Sequence, residues 1–201
     1  LEDLKVIVAR CREAQVKTYL TINTVMYDHD ISLMQQICDQ AKAEGITAAI
    51  CSDLAAIQYA HSIGLEVHIS TQTNVSNIEA VKFFAHFADV IVLARELTLK
   101  QIQFICEQVK KQQIVGPKGE LIQIELFAHG ALCVAVSGKC YMSLATTNAS
   151  ANRGACLQNC RRSYKIVDEE TGEELVIDNK YIMSPKDLCT IGFLDQLLDA
   201  G

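Results

Sequence analysis

Five short runs of apolar, mostly β-branched residues recur through the first 130 positions, and each is followed by a turn and an amphipathic stretch. The runs are Lys17–Val25, Ile46–Ser52, Leu65–Thr73, Asp89–Leu97 and Leu121–His129. Several are continuously apolar, as in Val90-Ile91-Val92-Leu93. A run apolar on every position suits a strand buried on both faces, the hallmark of a parallel sheet. Between the runs lie helices. Ile31, Leu33, Met34, Ile37, Cys38 and Ala41 follow helical spacing, and Gly45 is a natural stop. Ser76 with Glu79 reads as a capping box before a helix over Ala80–Phe87. Thr98 can cap a helix through Val109 that ends in Lys110 and Lys111. Strand alternating with helix gives an α/β fold with right-handed crossovers. Without a GxGxxG after the first strand, a (β/α) TIM-like barrel is favoured over a dinucleotide-binding sheet.

Composition closes off other classes. Half of the 201 residues are apolar and 21% are charged, which excludes a disordered chain. No uninterrupted run approaches the ~18 apolar residues of a membrane span, and no basic-then-apolar leader is visible. The expected setting is therefore cytoplasmic, with no membrane partner and one domain. The chain begins at Leu1 rather than methionine, so a native start beyond it is expected.

Beyond residue 130 the rhythm breaks. Residues 1–130 read as the βα repeats, 131–163 as an irregular Cys-rich loop, and 164–201 as a β-hairpin insertion followed by a final helix of the same domain. The hairpin is expected over Tyr164–Ile182, turning at Asp168–Gly172. Ser184-Pro185 and Asp187 are expected to start the helix Leu188–Leu198. An irregular stretch of about 30 residues inside a compact domain is uncommon unless it is functional.

Nine cysteines, about 4% of the chain, are too few for a disulfide scaffold, and their number is odd. Cys11, Cys38, Cys51 and Cys106 fall on apolar positions and read as small core residues. Cys133, Cys140, Cys156 and Cys160 form C-x6-C-x15-C-x3-C within the loop. Such a thiolate set selects zinc or an iron–sulfur cluster. Only Cys156/Cys160 is a tight pair, which leans toward [4Fe-4S] over zinc. Cys189 stands outside the run as a spare or core thiol. The net charge of −6 hides a local asymmetry, because Leu126 to Val167 contains no acid but holds Lys139, Arg153, Arg161, Arg162 and Lys165. These cations either favour thiolates, offset a thiolate-bound cluster, or bind an anionic partner such as RNA or a phosphate.

The segment Glu125-Leu-Phe127-Ala-His-Gly130-Ala131-Leu132-Cys133, with Gly138-Lys-Cys140-Tyr-Met142-Ser143, resembles the signature of the collagenase-like peptidase family, U32, at every fixed position. Asn152-Arg153-Gly154-Ala-Cys156-Leu-Gln-Asn-Cys160-Arg161 and Met183-Ser184-Pro-Lys186-Asp187-Leu188 resemble further family blocks. So do Ile22-Asn23-Thr24, Ser70 to Asn74, and Ala94 to Leu97. The resemblance implies a longer protein whose barrel this chain only partly contains. It also implies activity of one of two kinds. The family name says proteolysis, yet the chain shows no G-x-S-x-G or H-E-x-x-H. Other members carry a [4Fe-4S] cluster on cysteines of this block and hydroxylate tRNA wobble uridine, ribosomal RNA cytidine or the ubiquinone ring. The RNA-acting members draw the hydroxyl group from prephenate, a small dicarboxylate. The Cys156–Tyr164 block is similar to the tRNA branch. Some relatives lack the counterpart of Cys160, for which Cys189 is the stand-in. The expectation is tRNA wobble-uridine hydroxylation, with proteolysis or a non-catalytic RNA-binding subunit as alternatives.

In a barrel the site lies at the C-terminal ends of the strands, where this chain places Asn23, Asp53, Gln72, Asn74, Arg95, Glu96, Glu125 and His129. Asp53 and Asn74 are either helix caps or site residues. Arg95 interrupts an apolar strand and suits a carboxylate or phosphate, or else pairs with Glu125 or Glu96. Glu125, expected among apolar neighbours, is a candidate general acid or base. His129 is a candidate proton donor beside the loop, and Arg153 and Arg161 are candidate substrate contacts alongside Asn23, Gln72 and Asn74. His68 faces opposite to Val67 and Ile69. His29, His61 and His86 read as solvated.

Overall fold

Each of the five apolar runs becomes one strand: β1 (Tyr19–Ile22), β2 (Ala48–Cys51), β3 (Val67–Ile69), β4 (Val90–Val92) and β5 (Gln123–Glu125). They pair in parallel, in chain order, as one five-stranded sheet. The computed structural model describes residues 2–162, 164–175 and 187–201. Among these, β1 and β5 are the two edges of the sheet. The helices that precede, separate and follow the first strands are α1 (Glu2–Glu13), α2 (Ile31–Glu44), α3 (Leu54–Ser62), α4 (Ile78–Phe84) and α5 (Leu99–Gln112).

A parallel sheet laid down in chain order with one hand of crossover receives its helices on a single face. The core shows this. Ile22, Ala49, Cys51, Val67, Ile69, Ile91, Leu93 and Ile122 alternate along the strands and join one cluster. Met34 and Cys38 of α2, Ile57 of α3, Val81 of α4 and Ile105 of α5 belong to the same cluster. The intervening positions, including Thr21, Ile50, His68, Val92 and Glu125, lie on the opposite face. A dinucleotide-binding sheet would instead reverse its strand order and take helices on both sides.

Local chemistry fixes the helix ends. Gly45 closes α2 at φ +79°, and its N–H bonds back to Ala41 and Lys42. A Cβ there would also lie 2.6 Å from the Arg12 guanidinium, which donates to Glu44 O. Thr98 and Gln101 form the capping box of α5. The cap of α4 is Asn77, whose side chain accepts from Ala80 N–H, not the Ser76/Glu79 box that the sequence suggests. Asn77 is closer to the first helical turn and carries the better-placed acceptor.

The chain divides into two compact units, residues 1–126 with 195–201, and residues 127–194. The second contains β6 (His129–Ala131), α6 (Met142–Thr147), the short hairpin of β7 (Ile166–Val167) with β8 (Glu174–Leu175), and β9 (Asp187–Cys189), which pairs antiparallel with β6. The expected hairpin is present where described, and its continuation over 176–182 lies outside the described residues, as do 183–186. The expected final helix starts later. Asp187–Cys189 is strand, and α7 runs only Leu194–Asp199, because pairing with β6 satisfies the backbone of the preceding residues. No helix among the described residues is long and apolar enough to cross a membrane.

His68 is buried on the sheet face away from the helices, with Nε2 facing Glu66 Oε1 at 3.2 Å. Lys118 donates to the other carboxylate oxygen. Burial works to raise the Glu66 carboxyl, but the hydrogen bonds from Lys118 and His68 outweigh it and hold Glu66 below its ordinary value. The same bond to Glu66 raises Lys118. Glu66 therefore contributes stability that is present above its ordinary value of 4.5 and lost as pH falls through the depressed one. Lys118 contributes below its ordinary 10.5 and loses that contribution as pH rises through the elevated one. Glu66→Gln is expected to cost about 1 kcal/mol at neutral pH, since the pair is partly exposed. It should also flatten the acid limb of unfolding free energy against pH, measured by urea titration.

Candidate functional site

The C-terminal ends of β1–β4 are stitched to one another. Ser52 after β2 donates its hydroxyl to Asn23 O, 2.7 Å away, in the loop after β1. Asp53 caps α3 through Oδ1, which accepts from Ala55 N–H, while Oδ2 accepts from Met26 N–H in that same first loop. After β3, Thr71 donates to Leu93 O, and Ala94 N–H donates to Val75 O. This rim carries Asn23, Gln72, Asn74 and Arg95, all half-buried. Asp53 thus belongs to the architecture of the rim, as both helix cap and loop tie.

Asn74 is not a helix N-cap. It ends the short 3-10 turn Thr71–Thr73 in the left-handed region, at φ +56°, and its Nδ2 donates to Gln72 O. Asparagine tolerates this conformation because its short amide bonds locally. Gln72 in turn accepts from the buried Ser70 hydroxyl. Arg95 follows β4 at the rim. Glu125 lies on β5 opposite Val92 and is exposed, so the apolar setting expected for it is not found. The strand is an edge of the sheet among the described residues.

In the second unit Cys133 and Cys156 are exposed and Cys140 and Cys160 are half-buried. Cys38 and Cys51 are fully buried core thiols, which burial pushes up to about 11 and about 12, and Cys106 is buried too, whereas Cys11 is only half-buried. The Cys160 thiol is raised first by burial and then by the charges of Cys156, Cys140 and Cys133. The four thiols of the C-x6-C-x15-C-x3-C run therefore share one electrostatic neighbourhood. Loop cations were expected to favour thiolates here. At Cys160 burial and the neighbouring thiols dominate instead. No three His, Cys, Asp or Glu side chains among the described residues converge on the position of one ion. Tetrahedral zinc would hold its sulfurs within about 4 Å of each other.

Two cations of the acid-free stretch 126–167 are engaged by acids from beyond it. Arg161 donates to Asp187 on β9, and Lys165 pairs with Glu174 on β8. The surplus positive charge read from residues 126–167 is thereby partly neutralised. Arg153 closes the 3-10 turn Ala151–Arg153 and is half-buried. Cys189 lies on β9, not on a helix, directly opposite His129 of β6, and both are exposed. Two residues quoted within the family blocks but given no role there, Ser143 of α6 and Asn159 beside Cys160, are each 2% exposed. A buried hydroxyl and a buried amide inside a polar loop carry no spacing signal.

With this geometry in view, the family follows. The model of Peptidase family U32 matches residues 1–201, and the chain belongs to that family. A collagenase from Porphyromonas gingivalis is 57% identical over 200 residues, covering 100% of this chain and 48% of that protein. The 23S rRNA 5-hydroxycytidine synthase of Escherichia coli is 35% identical, covering 100% of this chain and 29% of that protein. The tRNA hydroxylation protein P1 of Bacillus subtilis is 29% identical over 100% of this chain and 47% of its own length. A solved U32 peptidase structure superposes with a TM-score of 0.50 at 13% identity, over 64% of this chain and 52% of that one, a likeness of fold alone. The chain thus spans about half the length of the collagenase and of the tRNA protein.

Because Asp53 ties two loops as well as capping α3, Asp53→Ala is expected to destabilise the protein by about 1–3 kcal/mol. Asp53→Asn should recover part of this through the retained cap acceptor. Thermal melts of the two variants check the order.

Proposed function

We propose that this U32 protein is an RNA-base hydroxylase that carries a [4Fe-4S] cluster on Cys133, Cys140, Cys156 and Cys160, with tRNA wobble uridine as substrate. The observation that carries the reading is the C-x6-C-x15-C-x3-C run, whose four thiols lie in one compact unit, with Cys160 raised in part by the charges of the other three. A donor set of soft sulfurs selects zinc or an iron–sulfur cluster, and the single tight pair Cys156/Cys160 leans toward the cluster. When bound, such a cluster supplies one-electron redox chemistry that no side chain of the chain provides. The rRNA and tRNA hydroxylation proteins among the relatives support RNA as the partner.

The remaining roles belong to the chain's own residues. Arg95, Asn23, Gln72 and Asn74 sit on the stitched rim, where their positions are rigid enough to orient a ligand. Arg95 is the cation suited to the carboxylates of prephenate, the proposed hydroxyl donor. Glu125, exposed on β5, is suited to accept a proton or a hydrogen bond from a base edge or ribose. His129, exposed on β6 of the second unit, is the candidate proton donor.

Collagenase-type proteolysis is the second reading, favoured by the 57% identity to a protein of that name. Two measurements separate the readings. Nucleoside mass spectrometry of tRNA and ribosomal RNA from a strain lacking the gene is expected to show loss of one hydroxylated pyrimidine. An unchanged profile, together with cleavage of collagen peptides by the purified protein, would establish proteolysis instead. Iron analysis of the anaerobically purified full-length protein should fall to background in Cys133→Ser, Cys140→Ser and Cys156→Ser. Retention of iron in Cys160→Ser with loss in Cys189→Ser would move the fourth ligand to Cys189.

A further inference from the structure

The two cysteine pairs of the second unit are separated by fifteen residues, and spacing alone does not bring them together. What joins them is α6, which starts two residues after Cys140. The Ser143 hydroxyl accepts from Leu157 N–H at 3.1 Å, and Asn159 Nδ2 donates to Thr146 Oγ1. Leu157 and Asn159 are the residues just inside Cys156 and Cys160. The helix therefore grips the second pair at both of its ends.

The direction of these bonds is set by the helix itself. Thr146 donates its own hydroxyl proton to Met142 O at 2.7 Å, one turn back, which leaves its oxygen free to accept from Asn159. Asn159 is held from the other side as well, its carbonyl accepting from the Tyr164 hydroxyl at 2.6 Å. Between the two grips Gln158 adopts φ +53°, a conformation that needs such support in a residue other than glycine. Asn159 Oδ1 is buried without a hydrogen-bond partner, so the side chain is not placed there for its own satisfaction.

We propose that Ser143 and Asn159 are positioning residues that dock the Cys156–Cys160 turn onto the helix following Cys140, so that the thiol set is assembled before any metal arrives. This rests on the cluster reading for its purpose, but the docking itself does not. It also assigns the signature serine. Ser143 is 2% exposed with its oxygen engaged, a strut and not a nucleophile. Without the docking, the four thiols would have to be collected by the metal, at the cost of ordering the loop during binding.

The test uses full-length protein in its chelator-treated, reduced form. Hydrogen exchange at the Leu157 amide is expected to accelerate about tenfold or more in Ser143→Ala, and Ser143→Thr, which keeps the hydroxyl, should restore protection. Amides of the first unit such as Ile91 report that folding is intact. Asn159→Ala, which removes the second grip, should likewise loosen the turn, and it serves if Ser143→Ala fails to fold. Anaerobic reconstitution with iron and sulfide, followed near 400 nm, is expected to slow at least fivefold in both alanine variants and to recover in Ser143→Thr. Unchanged Leu157 exchange in the alanine variants overturns the docking. Lost protection with an unchanged reconstitution rate overturns its purpose. If the wild-type protein takes up no iron while the exchange result holds, the cluster reading fails and the docking stands.

Discussion

Parallel pairing in chain order governs this molecule. Once β1 to β5 add one after another with a single hand of crossover, every intervening helix must fall on one face. The apolar alternation of the strands then has one place to go. The helices bury Ile57, Ile69, Ile91 and Ile105 in a shared core. Polar groups gather at the strand ends, where Asp53, Ser52 and Thr71 bind one loop to the next. The rim bearing Asn23, Gln72, Asn74 and Arg95 is a consequence of that pairing, not an addition to it.

Much of this was legible in the residues. Continuous runs such as Val90 to Leu93 announce strands that are covered, and Gly45 and Thr98 mark helix limits by chemistry that acts over a few residues. Errors arose where a longer-range contact outweighed a local signal. Asp187 and Leu188 look like the start of a helix until β6 offers them a ladder. Glu125 looks enclosed because its neighbours in sequence are apolar, but alternation along an edge strand turns it outward. The charge of the loop was countable, while its neutralisation by Asp187 and Glu174 was not, because those partners lie far away in the chain.

The second unit is organised on a different principle. It has little apolar core, and its order comes from hydrogen bonds made by small polar side chains. Ser143, Thr146 and Asn159 hold a turn that alternates with exposed and half-buried thiols. A loop held this way keeps its thiols accessible, unlike Cys38 and Cys51, whose burial makes them inert core residues. Family membership alone leaves the chemistry open between a collagenase and RNA hydroxylation proteins. We take RNA hydroxylation because five of the nine cysteines lie in the second unit.

The central claim, that the second unit binds iron through its loop cysteines, is tested most directly by iron-edge anomalous diffraction from crystals of the anaerobically purified full-length protein. The account predicts one compact group of iron peaks bounded by the sulfurs of Cys133, Cys140, Cys156 and Cys160. A single ion, or no anomalous density within reach of these thiols, would contradict it.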